Sequence, residues 1–348
     1  MITKIRRIIR QSEIVRKTNS QTSKAPLSLM LDLMRWTFTN RGYITNFFIL
    51  GLDQKDKKLD DYLNFRSLKP YYNDFYPSNY LCLLEDKMVW EKFINNYPEY
   101  APKNIGYATK NHFYLPDSKP QPIENILNYP MHCIVKNTFG FGGKDIFKIK
   151  IEDGEIFING TKSSIAELRN KLPERAVIQE LLEQHDDLKR LHPESLNTSR
   201  IITVNTGSEI HVIATFLRIG VGNSIVDNLA QGNIYIPIDM TTGKLDKMGY
   251  SHKEPLFFLS HPQTGVVFDG YQVPFFKEGM EAVKKLHNQL PYFFVLGWDV
   301  AFTPNGPVII ETNNIHRVVH EQIAVGGLRQ RFDCYIKEFL KNKKTTEI

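Results

Sequence analysis

The chain has 348 residues, of which 42% are hydrophobic and 24% are charged, and this composition indicates a folded globular protein rather than a disordered one. Its formal net charge of +6 suits an anionic ligand, but the chain lacks the dense basic stripe of a nucleic-acid-binding protein. The three cysteines, Cys82, Cys133 and Cys334, lie far apart. They predict neither a disulfide framework nor a zinc site, so we expect a reducing, cytoplasmic setting.

The first 17 residues are basic, with isoleucines at helical spacing. We predict a basic amphipathic helix at residues 1–17, which either contacts the inner face of a membrane peripherally or packs on its own protein. No apolar run approaches the ~20 residues of a membrane-spanning helix. No apolar segment follows the basic residues, so a signal peptide is not expected.

The next segment, up to residue 80, is predicted to complete a mainly helical N-terminal region. Residues 27–50 are apolar and helical in pattern, whereas residues 55–80 are polar and rich in aromatic side chains. Aromatic rings of this kind stack on a sugar or a base, or pack within the protein, and both alternatives stay open. The rings belong to Tyr71, Tyr72, Phe75, Tyr76 and Tyr80.

From residue 81 onward helices and strands follow one another, which predicts an α+β chain. The helical segments are 81–96, 164–171, 277–289 and a closing helix at 327–341. The strands include 133–136, a hairpin of 147–151 with 155–159, the segment 176–182, and a strand-rich stretch at 200–238. A last pair of strands is predicted within residues 292–312.

The last strand pair carries acidic side chains in an otherwise apolar hairpin. Residues 304–306, Pro-Asn-Gly, form a strong turn signal between the two strands. If Thr303 faces Pro307 across a three-residue loop, Asp299 lies directly opposite Glu311.

Asn313 projects from the same face as Glu311 because side chains two residues apart share a face of a strand. Two opposed carboxylates on an apolar hairpin are costly unless a cation neutralises them. Oxygen donors at this density suit Mg²⁺. We therefore predict Asp299, Glu311 and Asn313 as metal ligands; the alternative is an edge hairpin whose acids face water.

An aspartate on one strand with Glu-x-Asn on the next resembles the metal site of the ATP-grasp superfamily. Residues 297–301, Gly-Trp-Asp-Val-Ala, with Gly306-Pro307, resemble in particular the ATP-grasp enzymes associated with sugar transfer and polysaccharide gene clusters. The resemblance extends over roughly residues 80–330. It implies an ATP-grasp fold in which two α+β lobes clasp a nucleotide. We expect an N-terminal helical region at 1–80, a central lobe with flap and adenine hinge at 81–183, and a C-terminal lobe with the metal site at 184–348.

Lys136 ends an apolar run and precedes a glycine-rich segment. A lysine at a strand end reaches phosphate as a point charge, while glycines let backbone N–H groups close over it. ATP-grasp proteins similarly pair a strand lysine with a glycine-rich flap, which implies binding and catalytic roles for Lys136. The flap residues are Gly140, Phe141, Gly142 and Gly143.

The strand at 176–182 corresponds by resemblance to the hinge that reads adenine. Gln179, Glu180 and Leu182 then mark the hinge, and Glu183 or Asp187 contacts ribose, although an ordinary strand end is the alternative. Lys87, at the start of a helix, also resembles a lysine region that precedes the nucleotide lobe.

Two arginines stand on successive predicted strands. An arginine at the mouth of an apolar strand clamps a phosphate with its fork of donors, and the resemblance implies that Arg200 stabilises the charge of phosphoryl transfer. Arg218 is expected to reach the same site, and surface ion pairs are the alternative for both. Asn228 precedes Gly232 in a loop that, in similar enzymes, covers the triphosphate.

The resemblance implies an ATP- and Mg²⁺-dependent ligase that joins a carboxylate to an amine through an acyl phosphate. A sugar-linked or cell-envelope polysaccharide precursor and an amino acid are the expected substrates. His316, Arg317 and His320, just beyond the metal ligands, are candidate substrate contacts. The alternatives are an ATP-grasp kinase acting on a hydroxyl and a non-catalytic nucleotide-binding partner of a glycosyltransferase. No nucleic-acid partner is expected, and the sequence does not determine the oligomeric state.

Overall fold

The computed structural model describes residues 24–39, 44–116, 118–140, 145–222, 233–251, 257–314 and 321–346. The predicted amphipathic helix at 1–17 lies outside these residues. No helix within the described ranges is both long enough and apolar enough to cross a membrane.

The N-terminal region consists of short helices, as predicted. Its helices are α1 (Pro26–Thr39), α2 (Ile44–Ile49), α3 (Phe65–Leu68) and α4 (Tyr72–Phe75), with 3-10 turns at Leu59–Asp61, Lys69–Tyr71 and Ser78–Tyr80. Trp36 and Phe47 form an edge-to-face pair in a small core of this region. Phe75 stacks on Phe294 with ring centroids 4.4 Å apart, so the aromatic segment packs on the rest of the chain.

The single helix predicted at 81–96 is wrong, because the chain forms α5 (Cys82–Glu85) and α6 (Lys87–Ile94). Asp86 separates them with extended backbone angles of φ −108° and ψ 112°. Its side chain accepts a hydrogen bond from the backbone N–H of Met88. Asp86 is therefore the N-cap of α6, a role for which aspartate is favoured.

The first sheet has eight antiparallel strands in the order β3-β2-β1-β8-β4-β5-β6-β7. The strands are β1 (Asn104–Ala108), β2 (His112–Tyr114), β3 (Gln121–Pro122), β4 (Met131–Asn137), β5 (Ile146–Glu152), β6 (Glu155–Ile158), β7 (Thr161–Ser163) and β8 (Ala176–Glu180). A 3-10 helix (Ile123–Asn128) and α7 (Ile165–Lys171) accompany the sheet. Ser164 caps α7 in a capping box with Glu167.

The second sheet has seven strands in the order β13-β12-β11-β10-β9-β14-β15. The strands are β9 (Thr198–Asn205), β10 (Ile210–Ile219), β11 (Ile234–Pro237), β12 (Gly249–Tyr250), β13 (Phe257–Phe258), β14 (Val295–Thr303) and β15 (Gly306–Asn314). The remaining helices are α8 (Asp186–Leu191), α9 (Phe276–Asn288), α10 (Glu321–Val325) and α11 (Arg329–Thr346). The main hydrophobic core lies on this sheet, with Trp298 fully buried.

The β14–β15 hairpin differs from the prediction at its turn. Thr303 pairs with Gly306, so the loop has two residues and the predicted three-residue loop is wrong. A β-bulge then shifts the register between Asp299 and Val300. The extra residue on β15 restores the predicted pairing of Asp299 with Glu311.

Candidate active site

Asp299 lies at the centre of a buried ion-pair cluster on the second sheet. It is only 4% exposed on β14, and Arg200 is its neighbour on β9. Nε of Arg200 is 2.6 Å from Oδ1 of Asp299, and a terminal guanidinium nitrogen of Arg218 is 2.9 Å from Oδ2. Both predicted arginines therefore contact one predicted metal ligand.

The charge of Asp299 follows from these neighbours. Burial acts to raise the pKa of its carboxyl group, but the positive charges of Arg200 and Arg218 outweigh burial and hold the pKa below its usual value. Asp299 is therefore ionised at neutral pH.

The arginines also correct one step of the sequence argument. Two opposed carboxylates were expected to need a metal ion for neutralisation, but the protein supplies its own cations. Arg200 and Arg218 neutralise Asp299, and Nζ of Lys87 lies 3.6 Å from Glu311. The side chains of Arg200 and Arg218 are 17% and 12% exposed in these ion pairs.

Glu311 and Asn313 lie together at the end of β15. The amide nitrogen of Asn313 donates to Oε1 of Glu311 at 3.3 Å. Lys87, at the start of α6, also donates from Nζ to the backbone oxygen of Gly140 at 2.7 Å. The lysine thus connects Gly140, the first residue of the predicted flap, to the acidic hairpin.

Lys136 is buried on β4, and the charges of Glu311 and Asp299 both act on it. Its Nζ donates to Oε1 of Gln179 at 2.9 Å. Burial lowers its pKa to about 8, with the charge of Glu311 opposing the shift and that of Lys87 adding to it. Lys136 is therefore a buried lysine whose charge interacts with those of Glu311 and Asp299 on the hairpin.

The predicted hinge lines a cavity of about 210 Å³. Gln179, Glu180, Leu182 and Glu183 are on its wall together with Lys136. Lys148 and Ile310 also line it, and the sequence analysis identified neither. Their signals in the sequence were weak, since Lys148 alternates with buried residues on β5 and Ile310 is the bulged residue of β15.

The acids of the hinge already have partners. Oε1 of Glu180 accepts from the backbone N–H of Lys103 at 2.8 Å, and Oε1 of Glu183 pairs with Nζ of Lys189 at 2.8 Å. Asp187 does not line the cavity. Of the two predicted ribose contacts, the structure therefore brings only Glu183 to this wall.

Several predicted site residues fall outside the described part of the chain. They are the flap residues Phe141, Gly142 and Gly143, the loop residue Asn228, and the three side chains His316, Arg317 and His320.

The chain matches the family described as sugar-transfer associated ATP-grasp over residues 66–334. This chain belongs to that family. The predicted resemblance is confirmed, and with it the α+β ATP-grasp fold class. Among curated proteins no match was found.

Solved structures of ATP-grasp ligases are similar to this chain at low sequence identity. D-alanine–D-alanine ligase from Bacillus anthracis has 12% identity and a TM-score of 0.41, with 76% of this chain and 69% of that chain covered. Phosphoribosylamine–glycine ligase from Thermotoga maritima has 12% identity and a TM-score of 0.40, covering 76% and 55%. N5-carboxyaminoimidazole ribonucleotide synthetase from the same organism has 14% identity and a TM-score of 0.36, covering 73% and 49%. The chain thus spans about half the length of the last two.

A further buried acid, which the sequence analysis missed, lies close enough to Arg200 for their charges to interact. Glu321, at the start of α10, is 4% exposed, and its Oε2 has no hydrogen-bond partner. Burial raises the pKa of its carboxyl group to about 7, while the charge of Arg200 acts in the opposite direction. No local sequence signal distinguishes Glu321, because only the packing of α10 in the folded chain brings it near Arg200.

The donor set of this ATP-grasp site fits Mg²⁺. Oδ1 of Asp299 makes no hydrogen bond despite its closeness to Arg200, and the side chain of Glu311 is 30% exposed. Within the described ranges, no three His, Cys, Asp or Glu side chains form a metal-holding group. Mg²⁺ takes only one or two protein carboxylates and completes its shell with phosphate and water. Two carboxylates and the amide of Asn313 are sufficient for that role.

Proposed function

We propose that this ATP-grasp protein is an ATP-dependent carboxylate–amine ligase that acts through an acyl phosphate. The observation that carries the proposal is the convergence of cations on the acidic hairpin. Arg200 and Arg218 contact Asp299, and Lys87 contacts Glu311. A site with this charge distribution suits a polyphosphate that arrives with a divalent cation.

The nucleotide is proposed to lie between the lobes at 81–183 and 184–348. Adenine enters the cavity beside the hinge, where backbone groups near Gln179, Glu180 and Leu182 read its edge and Glu183 faces ribose. By the family resemblance, Gly140, Phe141, Gly142 and Gly143 are proposed as the flap over the phosphates. Asn228 is proposed as a phosphate or metal-side contact.

The reaction has two steps. A substrate carboxylate oxygen attacks the γ-phosphorus of ATP, and the bond to the β-phosphate oxygen breaks to give an acyl phosphate and ADP. An amine nitrogen then attacks the acyl carbon, forming the amide, releasing inorganic phosphate and losing a proton. The protein contributes chiefly position and charge.

The roles of the residues follow from their charges. Lys136 and Arg200 balance the transferred phosphoryl group, with Arg218 beside them. Asp299, Glu311 and Asn313 would hold Mg²⁺, which when bound supplies charge neutralisation to the phosphate oxygens. The flap excludes water and so limits hydrolysis of the acyl phosphate.

The substrates are proposed from the family's association with sugar transfer. We propose that an amino acid or similar group is joined to a sugar-containing or cell-envelope polysaccharide precursor. The proposed setting is the cytoplasm, where residues 1–17 either contact the inner face of the membrane or pack on the protein itself.

Product analysis tests the proposal directly. Purified protein is incubated with ATP, Mg²⁺, amino acids and uronic-acid or amino-sugar nucleotides, and mass spectrometry follows the products. We expect a conjugate that has lost one water relative to its two co-substrates, with one ADP and one phosphate formed per conjugate. Glu311→Ala is expected to abolish product formation.

Glu155 provides a matched control, because its exposed carboxylate lies on β6 of the first sheet, where it pairs with Lys162, and Glu155→Ala should retain activity. A phosphorylated product from a single substrate would show a kinase instead. Nucleotide binding without turnover would show a non-catalytic binding partner. Either result contradicts the ligase proposal.

A further inference from the structure

A second cavity of about 440 Å³ lies apart from the ATP-grasp site. Its wall combines the aromatic segment at 73–80, the β9–β10 turn, the end of α9 and the closing helix α11. Asn205, at the far end of β9, lines the cavity, and it is five residues from Arg200, which corresponds to roughly 17 Å along a strand. None of the candidate nucleotide or metal residues is on this wall.

Side-chain amides dominate the polar lining of this cavity. Asn205 and Asn342 hold the β9–β10 turn, since Asn205 accepts from the backbone N–H of Gly207 at 2.7 Å and Asn342 donates to the backbone oxygen of Thr206 at 2.8 Å. Three more asparagines on the wall have side chains without a hydrogen-bond partner within the described residues. They are Asn73, Asn79 and Asn288.

Amides that have no protein partner are suited to ligand hydroxyl groups. An asparagine side chain offers both donors and an acceptor, and a hydroxyl group needs both. An amide is also neutral, so closing a ligand over it avoids the cost of burying a charge. The amide lining thus favours a ligand with many hydroxyl groups.

A rigid aromatic surface completes the wall. The rings of Tyr80 and Tyr292 are stacked, with centroids 3.9 Å apart and planes inclined by 9°. A hydrogen bond between the hydroxyl groups of Tyr80 and Tyr292 is the main cause of a raised pKa of Tyr80, so the two rings are also joined at their polar ends. Paired tyrosines offer apolar area with polar edges, which matches the alternating C–H and hydroxyl faces of a pyranose ring.

The charged side chains of the wall argue against an anionic ligand. Lys343 is engaged by Asp74, with Nζ 3.0 Å from Oδ1. Glu209 lies on the wall and places its carboxylate 3.8 Å from Nε2 of His211. A phosphate would meet an acid and a lysine that already has a counterion, so a neutral ligand is favoured.

We propose that this cavity is a binding site for a neutral saccharide unit, separate from the ATP-grasp site. The amides of Asn73, Asn79 and Asn288 hydrogen-bond to its hydroxyl groups, and a pyranose ring stacks on the Tyr80–Tyr292 pair. The site goes beyond the proposed ligase reaction and does not depend on ATP. It assigns a ligand to Tyr80 and its neighbours at the end of the aromatic segment, which the catalytic proposal leaves unused.

Saturation-transfer NMR on the full chain tests the site. The probes are the methyl glycosides of glucose, galactose, mannose and N-acetylglucosamine and the disaccharides maltose and cellobiose, titrated to about 20 mM to exceed a millimolar Kd. We expect transfer to the pyranose C–H protons of at least one probe. Asn79→Ala and Asn288→Ala should each weaken its binding about fivefold, the usual effect of losing one hydrogen bond. Tyr292→Ala should weaken binding further by removing the stacked ring.

Asn111→Ala is the matched control, because Asn111 is exposed on the β1–β2 turn and away from the cavity; this variant should bind like the natural sequence. Asn79 and Asn288 are also exposed, so their variants are expected to fold. Glu311→Ala should retain saccharide binding, which separates this test from the test of ligase activity. Absence of transfer from every probe, or affinities unchanged in Asn79→Ala and Asn288→Ala, would overturn the proposal.

Discussion

Asp299 and Glu311 face each other in the hairpin but are held in different ways. Asp299 is buried between two guanidinium groups, whereas Glu311 is partly exposed beside one lysine. A buried carboxylate that neutralises arginines contributes to folding as well as to the site, because its loss leaves buried cations without a counterion. A partly exposed carboxylate contributes little to stability.

This difference separates the effects of two conservative substitutions. Asp299→Asn should lower the free energy of unfolding by about 3 kcal/mol or more, the usual cost of breaking a buried ion pair. Glu311→Gln should change it by less than about 1 kcal/mol. Both variants should lose ATP turnover if both side chains hold the metal. Urea unfolding measured beside ATP turnover checks the prediction, and equal stability losses would contradict it.

At the scale of elements, a chain of hydrogen bonds fixes helix α9 to the second sheet. The indole N–H of Trp298 on β14 donates to Oγ1 of Thr203 on β9 at 2.6 Å. Oγ1 of Thr203 lies 2.7 Å from Nδ1 of His287, and Nε2 of His287 lies 3.0 Å from the backbone oxygen of Phe293. Since the oxygen of Phe293 only accepts, Nε2 carries the proton and Nδ1 accepts from the Thr203 hydroxyl group. These are the roles of a neutral imidazole, whose Nδ1 has a lone pair for the Thr203 hydroxyl group.

The neutral imidazole predicts a pH dependence of stability. Burial lowers the pKa of His287 from 6.5 to about 4, although the hydrogen bond to Phe293 acts in the opposite direction. Between these values the unfolded chain binds a proton that the folded chain does not. The free energy of unfolding should therefore fall as the pH is lowered through this window, by on the order of 1 kcal/mol per pH unit from this residue.

Urea unfolding at pH 7 and pH 5 measures the effect. His287→Gln removes the titrating group, so the variant should be less stable at pH 7 but should show a smaller loss between the two pH values. Each protein gives a change in the free energy of unfolding between pH 7 and pH 5. The difference between the two changes is the contribution of His287, separated from that of the other titrating residues. Equal changes would mean that His287 does not contribute.

At the scale of the whole molecule, Gln322 joins the N-terminal region to the C-terminal part of the chain. Its Oε1 accepts from the backbone N–H of Leu63 at 2.7 Å, and its Nε2 donates to the backbone oxygen of Leu63 at 3.1 Å. Gly327 passes so close to Asp61 that a Cβ atom would lie 2.4 Å from the Asp61 carbonyl oxygen. The contact therefore requires the amide side chain of Gln322 and a residue without a Cβ atom at position 327.

Loss of this contact should loosen the N-terminal region. Gln322→Leu leaves the buried N–H and C=O groups of Leu63 without partners, at a cost of about 2–4 kcal/mol. We expect faster hydrogen exchange at residues 61–64 and cleavage there in limited proteolysis. Gln330→Leu, an exposed position on α11, is the control and should exchange like the natural sequence. Unchanged protection in Gln322→Leu would contradict this role.

The sequence by itself determined the family and most of the elements. Strand and turn signals located the two hairpins, because these features depend on residues only a few positions apart. The motif of Asp299, Glu311 and Asn313 led to the ATP-grasp superfamily for the same reason. The prediction was wrong at Asp86, where one helix was expected over residues 81–96 but the chain forms α5 and α6.

Only the tertiary structure decided what surrounds those motifs. Arg200 and Asp299 are 99 positions apart in the sequence, and they meet because β9 pairs with β14. The sequence predicted two acids without protein counterions, whereas the folded chain pairs Asp299 with arginines. Packing likewise brought Glu321 near Arg200 and set the cavity beside Tyr80. Local periodicity specifies which face of an element a side chain occupies, whereas burial and charge depend on distant segments that meet only when the chain is folded.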